Sequence, residues 1–204
     1  MDGSSLALHV HGDGSSTYKH AGVSAVLWRM TSCTIAGERA DELWRCWRVA
    51  ERLSSEEAEY NALLLGLECV LLLPHRRAQL IVNMEDQCVI SQLQASYLPR
   101  SVAAWQLETQ PRLRILLAEV LRLLEQLCAQ GFVCVVRRIR PSENRSAAAL
   151  AKRAVEMRRD GFVRQISEPP TKRRGRCISH FPGFAKHTMQ LVDARPTQRK
   201  WHLC

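Results

Sequence analysis

The order of elements predicts an α/β fold, a mixed five-stranded sheet flanked by helices and followed by an irregular basic C-terminal extension. Three observations carry this reading. Three strand-like runs come first, spaced as hairpins. Strands then alternate with helices, which makes the later part of the sheet parallel and helix-covered. After Ser167 all periodicity stops, and Pro169, Pro170, Pro182 and Pro196 punctuate the rest. The expected division is a domain over residues 1–165 and an extension over 166–204.

The first strand is Leu6–His11, ended by the turn cluster Gly12-Asp13-Gly14-Ser15-Ser16. Val23–Trp28 is the second, and the Trp-rich run Leu43–Val49 the third. A helix from about Glu56 to Leu72 follows. Ser54 caps it, Glu57 stands three residues on as in a capping box, and the acids of the first turn oppose the macrodipole. It is apolar on most faces, so it should be buried. Leu80–Asn83 reads as a strand and Asp86–Gln94 as a short helix. The clearest helix is Leu113–Gln130, where leucines and Val120 recur at helical spacing until Gly131. A strand at Phe132–Val136 and a helix at Asn144–Arg158 complete the order βββαβααβα.

Composition narrows the classes of function. Of 204 residues, 46% are hydrophobic and 24% charged, enough apolar content to exclude a wholly disordered chain. The longest apolar runs, Ala62–Leu67 and Val70–Leu73, fall far short of the ~20 residues a membrane span needs, so no membrane partner is expected. The net charge is +9, and it is concentrated. Residues 169–204 hold Lys172, Arg173, Arg174, Arg176, Lys186, Arg195, Arg199 and Lys200 against the single acid Asp193. A polycation of this kind favours a polyanionic partner, above all nucleic acid. The eight cysteines form no Cys-x-x-Cys pair. Several sit among apolar residues, and they read as reduced thiols of an intracellular compartment.

Three acids stand where chemistry could use them. Asp13 ends the first strand, Glu59 lies one turn into the buried helix, and Glu85, followed by Asp86, ends the fourth strand. Clustered carboxylates repel unless a cation joins them, and oxygen ligands suit Mg²⁺ or Mn²⁺. Taken alone, each acid reads more readily as ordinary: Asp13 as a turn residue, Glu59 as a helix-start charge and Glu85 as a surface group. Strand alternation sets Glu85 and Asp86 on opposite faces.

The strings around these acids resemble the ribonuclease H family, in particular its bacterial, archaeal and plant-like branch. DGSS (13–16) resembles the family's first-strand motif and SSEEAEYNALLLGLE (54–68) its helix motif. NMEDQCVISQL (83–93) is similar to the segment bearing the third carboxylate, and RRIRPSENRSAAALAKRA (137–154) to the last strand, loop and helix. The resemblance runs over about residues 6–160 and implies the ribonuclease H-like fold. It also implies four carboxylates holding two metal ions that cleave the RNA strand of an RNA–DNA hybrid. Asp13, Glu59 and Glu85 match three of these positions. The fourth falls on Ala148, and the mobile-loop histidine on Arg138.

Losing one ligand and lengthening another displaces or removes metal-binding oxygens, and a misplacement of ~1 Å can cost about 10²-fold in rate. Basic side chains surround the lost position: Arg137, Arg138, Arg140 and Arg145. The expectation is therefore an RNA-binding protein on a ribonuclease H fold, catalytically impaired. It would contact nucleic acid through these arginines and Lys172, Arg173, Arg174 and Arg176. It would also bind other proteins of a ribonucleoprotein such as a mitochondrial ribosome, with the mitochondrion favoured over nucleus or cytoplasm. The alternative is an active Mg²⁺- or Mn²⁺-dependent ribonuclease H using Asp13, Glu59 and Glu85.

Overall fold

A computed structural model describes residues 5–14, 19–33, 37–73, 78–95 and 110–164. The strands are β1 (Ser5–Asp13), β2 (His20–Cys33), β3 (Gly37–Glu51), β4 (Gln79–Met84), β5 (Val133–Arg138) and β6 (Gly161–Arg164). The helices are α1 (Ser55–Leu71), α2 (Gln87–Ala95), α3 (Pro111–Ala129) and α4 (Arg145–Met157), with a 3₁₀ turn at Pro141–Glu143. The sheet order is β5-β4-β1-β2-β3-β6. β1, β4 and β5 run parallel, while β1–β2, β2–β3 and β3–β6 are antiparallel. The sheet is mixed, as expected.

It has six strands rather than the expected five. β6 is only four residues long, too short for alternation to register, and it pairs with β3 from Trp47 to Trp44. Asp160 secures its start by accepting a hydrogen bond from the Val49 N–H at 2.8 Å. β2 and β3 also outrun Val23–Trp28 and Leu43–Val49. Their backbone ladder continues from His20↔Glu51 to Cys33↔Gly37 through polar residues that carry no hydrophobic signal.

α1 forms where the capping box placed it. The Glu57 N–H donates to Ser54 Oγ at 3.1 Å, and the Ser54 N–H donates to the Glu57 carboxylate at 2.9 Å. Its buried residues include Ala58, Tyr60, Leu63, Leu67 and Val70. They pack between one sheet face and the leucine stripe of α3, joining Leu8, Leu27, Trp44, Leu80 and Met84 in a single core. α4 covers part of the other face, where Ala147 and Leu150 meet Val26 and the half-buried Trp28 and Trp47. Trp44 is buried in the main core, so these tryptophans serve packing. The 165–204 segment, with Lys172, Arg173, Arg174 and Arg176, lies outside the described residues.

Two glycines bring helices onto strands. A Cβ on Gly12 would stand 2.1 Å from the Ala58 carbonyl carbon, and one on Gly22 would stand 2.0 Å from the Ala151 oxygen. Both obstacles are backbone and cannot rotate away. At Gly66 the nearest atom is a Leu8 side-chain methyl at 2.9 Å, which can. Gly12→Ala should therefore lower the free energy of unfolding by about 3 kcal/mol or more, and Gly66→Ala by about 1. Urea titration of the two variants checks this, and equal losses would contradict it.

Candidate functional site

The carboxylates gather at the end of the sheet where β1 and β4 finish. Asp13 is the last residue of β1 and is exposed. Glu59 projects from the second turn of α1 and is buried, at 4% exposure. Glu85 and Asp86 follow the end of β4 and are half-buried. All four line one open cleft of about 740 Å³, together with His11, Arg138 and Arg140.

The opposite-face argument for Asp86 does not hold. β4 ends at Met84, so alternation no longer applies, and both acids reach the cleft. Arg137, Arg145 and Ala148 stand outside the cleft lining. Arg137 hydrogen-bonds through Nε to Asn83 Oδ1, Arg145 is the exposed first residue of α4, and Ala148 is half-buried on the same helix.

Each acid meets a different environment. Glu59 stands where Gly12 lets β1 touch the backbone of α1. Burial pushes its carboxyl up to about 8; a hydrogen bond to the Gly12 backbone opposes this, and the charges of Asp86, Glu85 and Asp13 add to it. Its Oε2 is buried without a hydrogen-bond partner. Glu85 accepts from His11 Nδ1 at 3.2 Å. Asp86 Oδ1 accepts the Val89 N–H at 2.9 Å and so caps α2.

On the basic side, the Arg140 N–H donates to the Glu143 carboxylate at 2.8 Å, which closes the 3₁₀ turn and leaves the Arg140 side chain exposed. Asn144 is fully buried and donates from Nδ2 to the Val10 carbonyl at 2.8 Å, fastening the loop to β1. Ser24 Oγ donates to the Ala147 carbonyl at 2.7 Å and fastens α4 to β2.

Two groups escaped the sequence reading. His11 was legible in principle: His9, His11 and Asp13 alternate along β1 and share a face. Its partner Glu85 lies 74 residues away and only the parallel register brings them together. Likewise His9, Asn83 and Arg137 form a cross-strand row over β1, β4 and β5. Burial, and then the Arg137 charge, hold the His9 pKa below its ordinary value, partly opposed by Glu143.

The donor set is of the kind that suits a hard divalent cation, and the unpartnered Glu59 oxygen is the strongest sign of one. Among the described residues no three His, Cys, Asp or Glu side chains gather as a metal site. Glu85 and Asp86 are engaged within the protein, and position 148 offers a methyl group. Three of the four carboxylate positions implied by the resemblance, Asp13, Glu59 and Glu85, are thus brought to one cleft without being closed on a common point.

Comparison with known proteins agrees with this architecture. Residues 12–154 match the family model described as reverse transcriptase-like. Among solved structures, the chain is similar to the N-terminal RNase H domain of Rv2228c from Mycobacterium tuberculosis. The two are 19% identical with a TM-score of 0.51, over 75% of this chain and 94% of that one. It is also similar to LC11-RNase H1, isolated from compost by a metagenomic approach, at 16% identity and a TM-score of 0.54, over 78% and 99% of the two chains. LC9-RNase H1, a type 1 RNase H with the type 2 active-site motif, superposes at 12% identity and a TM-score of 0.55, over 81% and 79%. No curated protein sequence matches the chain. With the family model spanning most of the chain, from the end of β1 into α4, the protein belongs to the reverse transcriptase-like family and has the ribonuclease H-like fold.

Proposed function

We propose that this protein binds RNA, alone or in an RNA–DNA hybrid, across the cleft at the end of the sheet, that cleavage there is impaired, and that it serves as a structural component of a ribonucleoprotein such as a mitochondrial ribosome. One observation carries the reading: Arg138 and Arg140 line the same cleft as the carboxylates, while position 148 supplies no acid and Glu85 is bound to His11. Two exposed guanidiniums at the wall of a cleft offer forked donors that fit phosphate oxygens. Arg145 and the exposed Lys152 and Arg153 of α4 extend the positive surface beyond it. Phosphate neutralisation supplies most of the affinity of such a surface and makes it salt-dependent. The basic composition of 166–204 supports a larger RNA-containing partner. LC11-RNase H1, whose fold is shared, has been solved in complex with an RNA/DNA hybrid.

A second reading, an Mg²⁺- or Mn²⁺-dependent ribonuclease H, is favoured by the buried Glu59 oxygen that has no partner. A cation held by Asp13, Glu59 and Glu85 would supply Lewis-acid stabilisation of the phosphate and a more acidic water. Glu85 would have to leave His11 to join it.

A labelled RNA–DNA hybrid separates the two readings. Incubation in Mg²⁺ and then Mn²⁺ is expected to give binding without cleavage. Cleavage that disappears in Asp13→Asn would establish the second reading instead. Replacing both Arg138 and Arg140 by alanine should weaken binding about tenfold or more and lower the slope of log affinity against log salt by about 2. An unchanged slope in a fluorescence-anisotropy salt titration would place the nucleic acid elsewhere.

Glu59 gives a pH signature. Its folded value of about 8 lies above the ordinary 4.5, so the folded protein keeps a proton that the unfolded chain releases between those limits. The stabilisation is complete below pH 4.5 and is lost as pH rises through about 8. Urea stability measured in EDTA should fall across this window by on the order of a few kcal/mol, and Glu59→Gln should flatten the fall. A wild-type profile as flat as the variant's would contradict the burial of this carboxyl.

A further inference from the structure

β5 is an outer strand of the sheet, and among the described residues no strand pairs with its free edge. The Val133 N–H donates to the Ala78 carbonyl at 3.1 Å and the Ile139 N–H to the Met84 carbonyl at 2.9 Å. Odd-numbered residues of β5 therefore turn their backbone groups toward β4, and by alternation Cys134 and Val136 turn theirs outward. The side chains of Cys134 and Val136 lie in the core, on the face that α3 covers.

The opposite face is open at this edge. α4 packs there on β1, β2 and β3, whereas Val133 is 54% exposed and Val135 and its β4 neighbour Ile81 are half-buried. Natural sheets guard a free edge with charge, proline or a bulge. Val133-Cys134-Val135-Val136 carries no charge, proline or register shift, and its valines favour extended pairing. Positive charge comes only at the far end. Arg137 is exposed on the open face, its guanidinium fixed through Nε to Oδ1 of the buried Asn83.

We propose that this edge is a docking site for a partner protein, which adds an extended segment antiparallel to β5. On the open face the segment places an acidic side chain opposite Arg137 and β-branched side chains opposite Val135 and Val133. These are the closely spaced, non-hydrogen-bonded pairs, where cross-strand side chains interact most. The backbone bonds run to Cys134 and Val136. Charge selects a partner over a second copy, because β5 carries no acid and the chain has a net charge of +9. None of these residues lines the cleft, and docking here is independent of RNA.

Amide exchange in the folded full-length chain, followed residue by residue by NMR, gives the first check. The Cys134 and Val136 amides should exchange at least about tenfold faster than those of Val133, Val135 and Arg137. The probe is the blocked peptide Thr-Glu-Thr-Val-Thr-Val-Thr, whose glutamate and valines share one face. It should slow the Cys134 and Val136 amides by about tenfold and leave their neighbours unchanged. N-methylation of its second and third threonines removes the donors that face β5 and should abolish the effect. N-methylation of its valines, whose amides point away, should not. Lysine in place of the glutamate should weaken binding about fivefold, as should Val133→Lys in the chain. Slow exchange at Cys134 and Val136 in the monomeric chain without peptide would overturn the inference, because the chain's own residues would then hold the edge. A dimer in sedimentation that Val133→Lys dissolves would assign the edge to a second copy instead. Failure of the peptide to slow either amide, or equal binding of the two methylated forms, would overturn it as well.

Discussion

The absence of a side chain at Gly12 lets the end of β1 lie directly against the backbone of α1, and the rest of the site depends on that contact. Any larger residue would lift the helix off the strand and with it Glu59, whose burial comes from the same approach. From the other side, Asn144 holds the loop before α4 to the neighbouring Val10 carbonyl. The last residues of β1 are thus gripped by a helix on one side and by the loop that follows β5 on the other. Gly22 repeats the device where α4 crosses β2. Residues from four separate stretches of chain reach one cleft because two glycines and one amide allow it.

Within that cleft the electrostatics divide by depth. The deepest carboxyl is held in its neutral form by burial and by neighbouring acids. The shallower ones are satisfied by a histidine and by a helix N-terminus. Arg138 and Arg140 line the same cleft.

Much of this was legible in the residues. Ser54 and Glu57 announced the start of α1, and the ordered strings around Asp13, Glu59 and Glu85 announced the shared cleft. Local rules failed where a neighbour decided the outcome. β6 exists because β3 offers an edge to pair with, a fact absent from the letters GFVR. Asp86 reaches the cleft because β4 stops one residue before Glu85, and strand boundaries are set by the partner strands. The His11–Glu85 contact depends on the register between β1 and β4, which alternation within either strand does not specify.

The direction of β6 has its own consequence. It enters the sheet beside Trp47 and leaves beside Trp44, heading away from the end where the carboxylates stand. Arg164 therefore sits roughly 15–20 Å down the sheet from the level of Asp13 and about 14 Å across it, at usual strand dimensions. The last described residue thus stands toward the opposite end of the sheet from the carboxylates. A polyanion held both by the cleft and by residues 166–204 would be bound through two stretches joined only through Arg164. The length of chain between them would then set the effective concentration of the second contact, and losing either stretch would cost more affinity than that stretch holds alone.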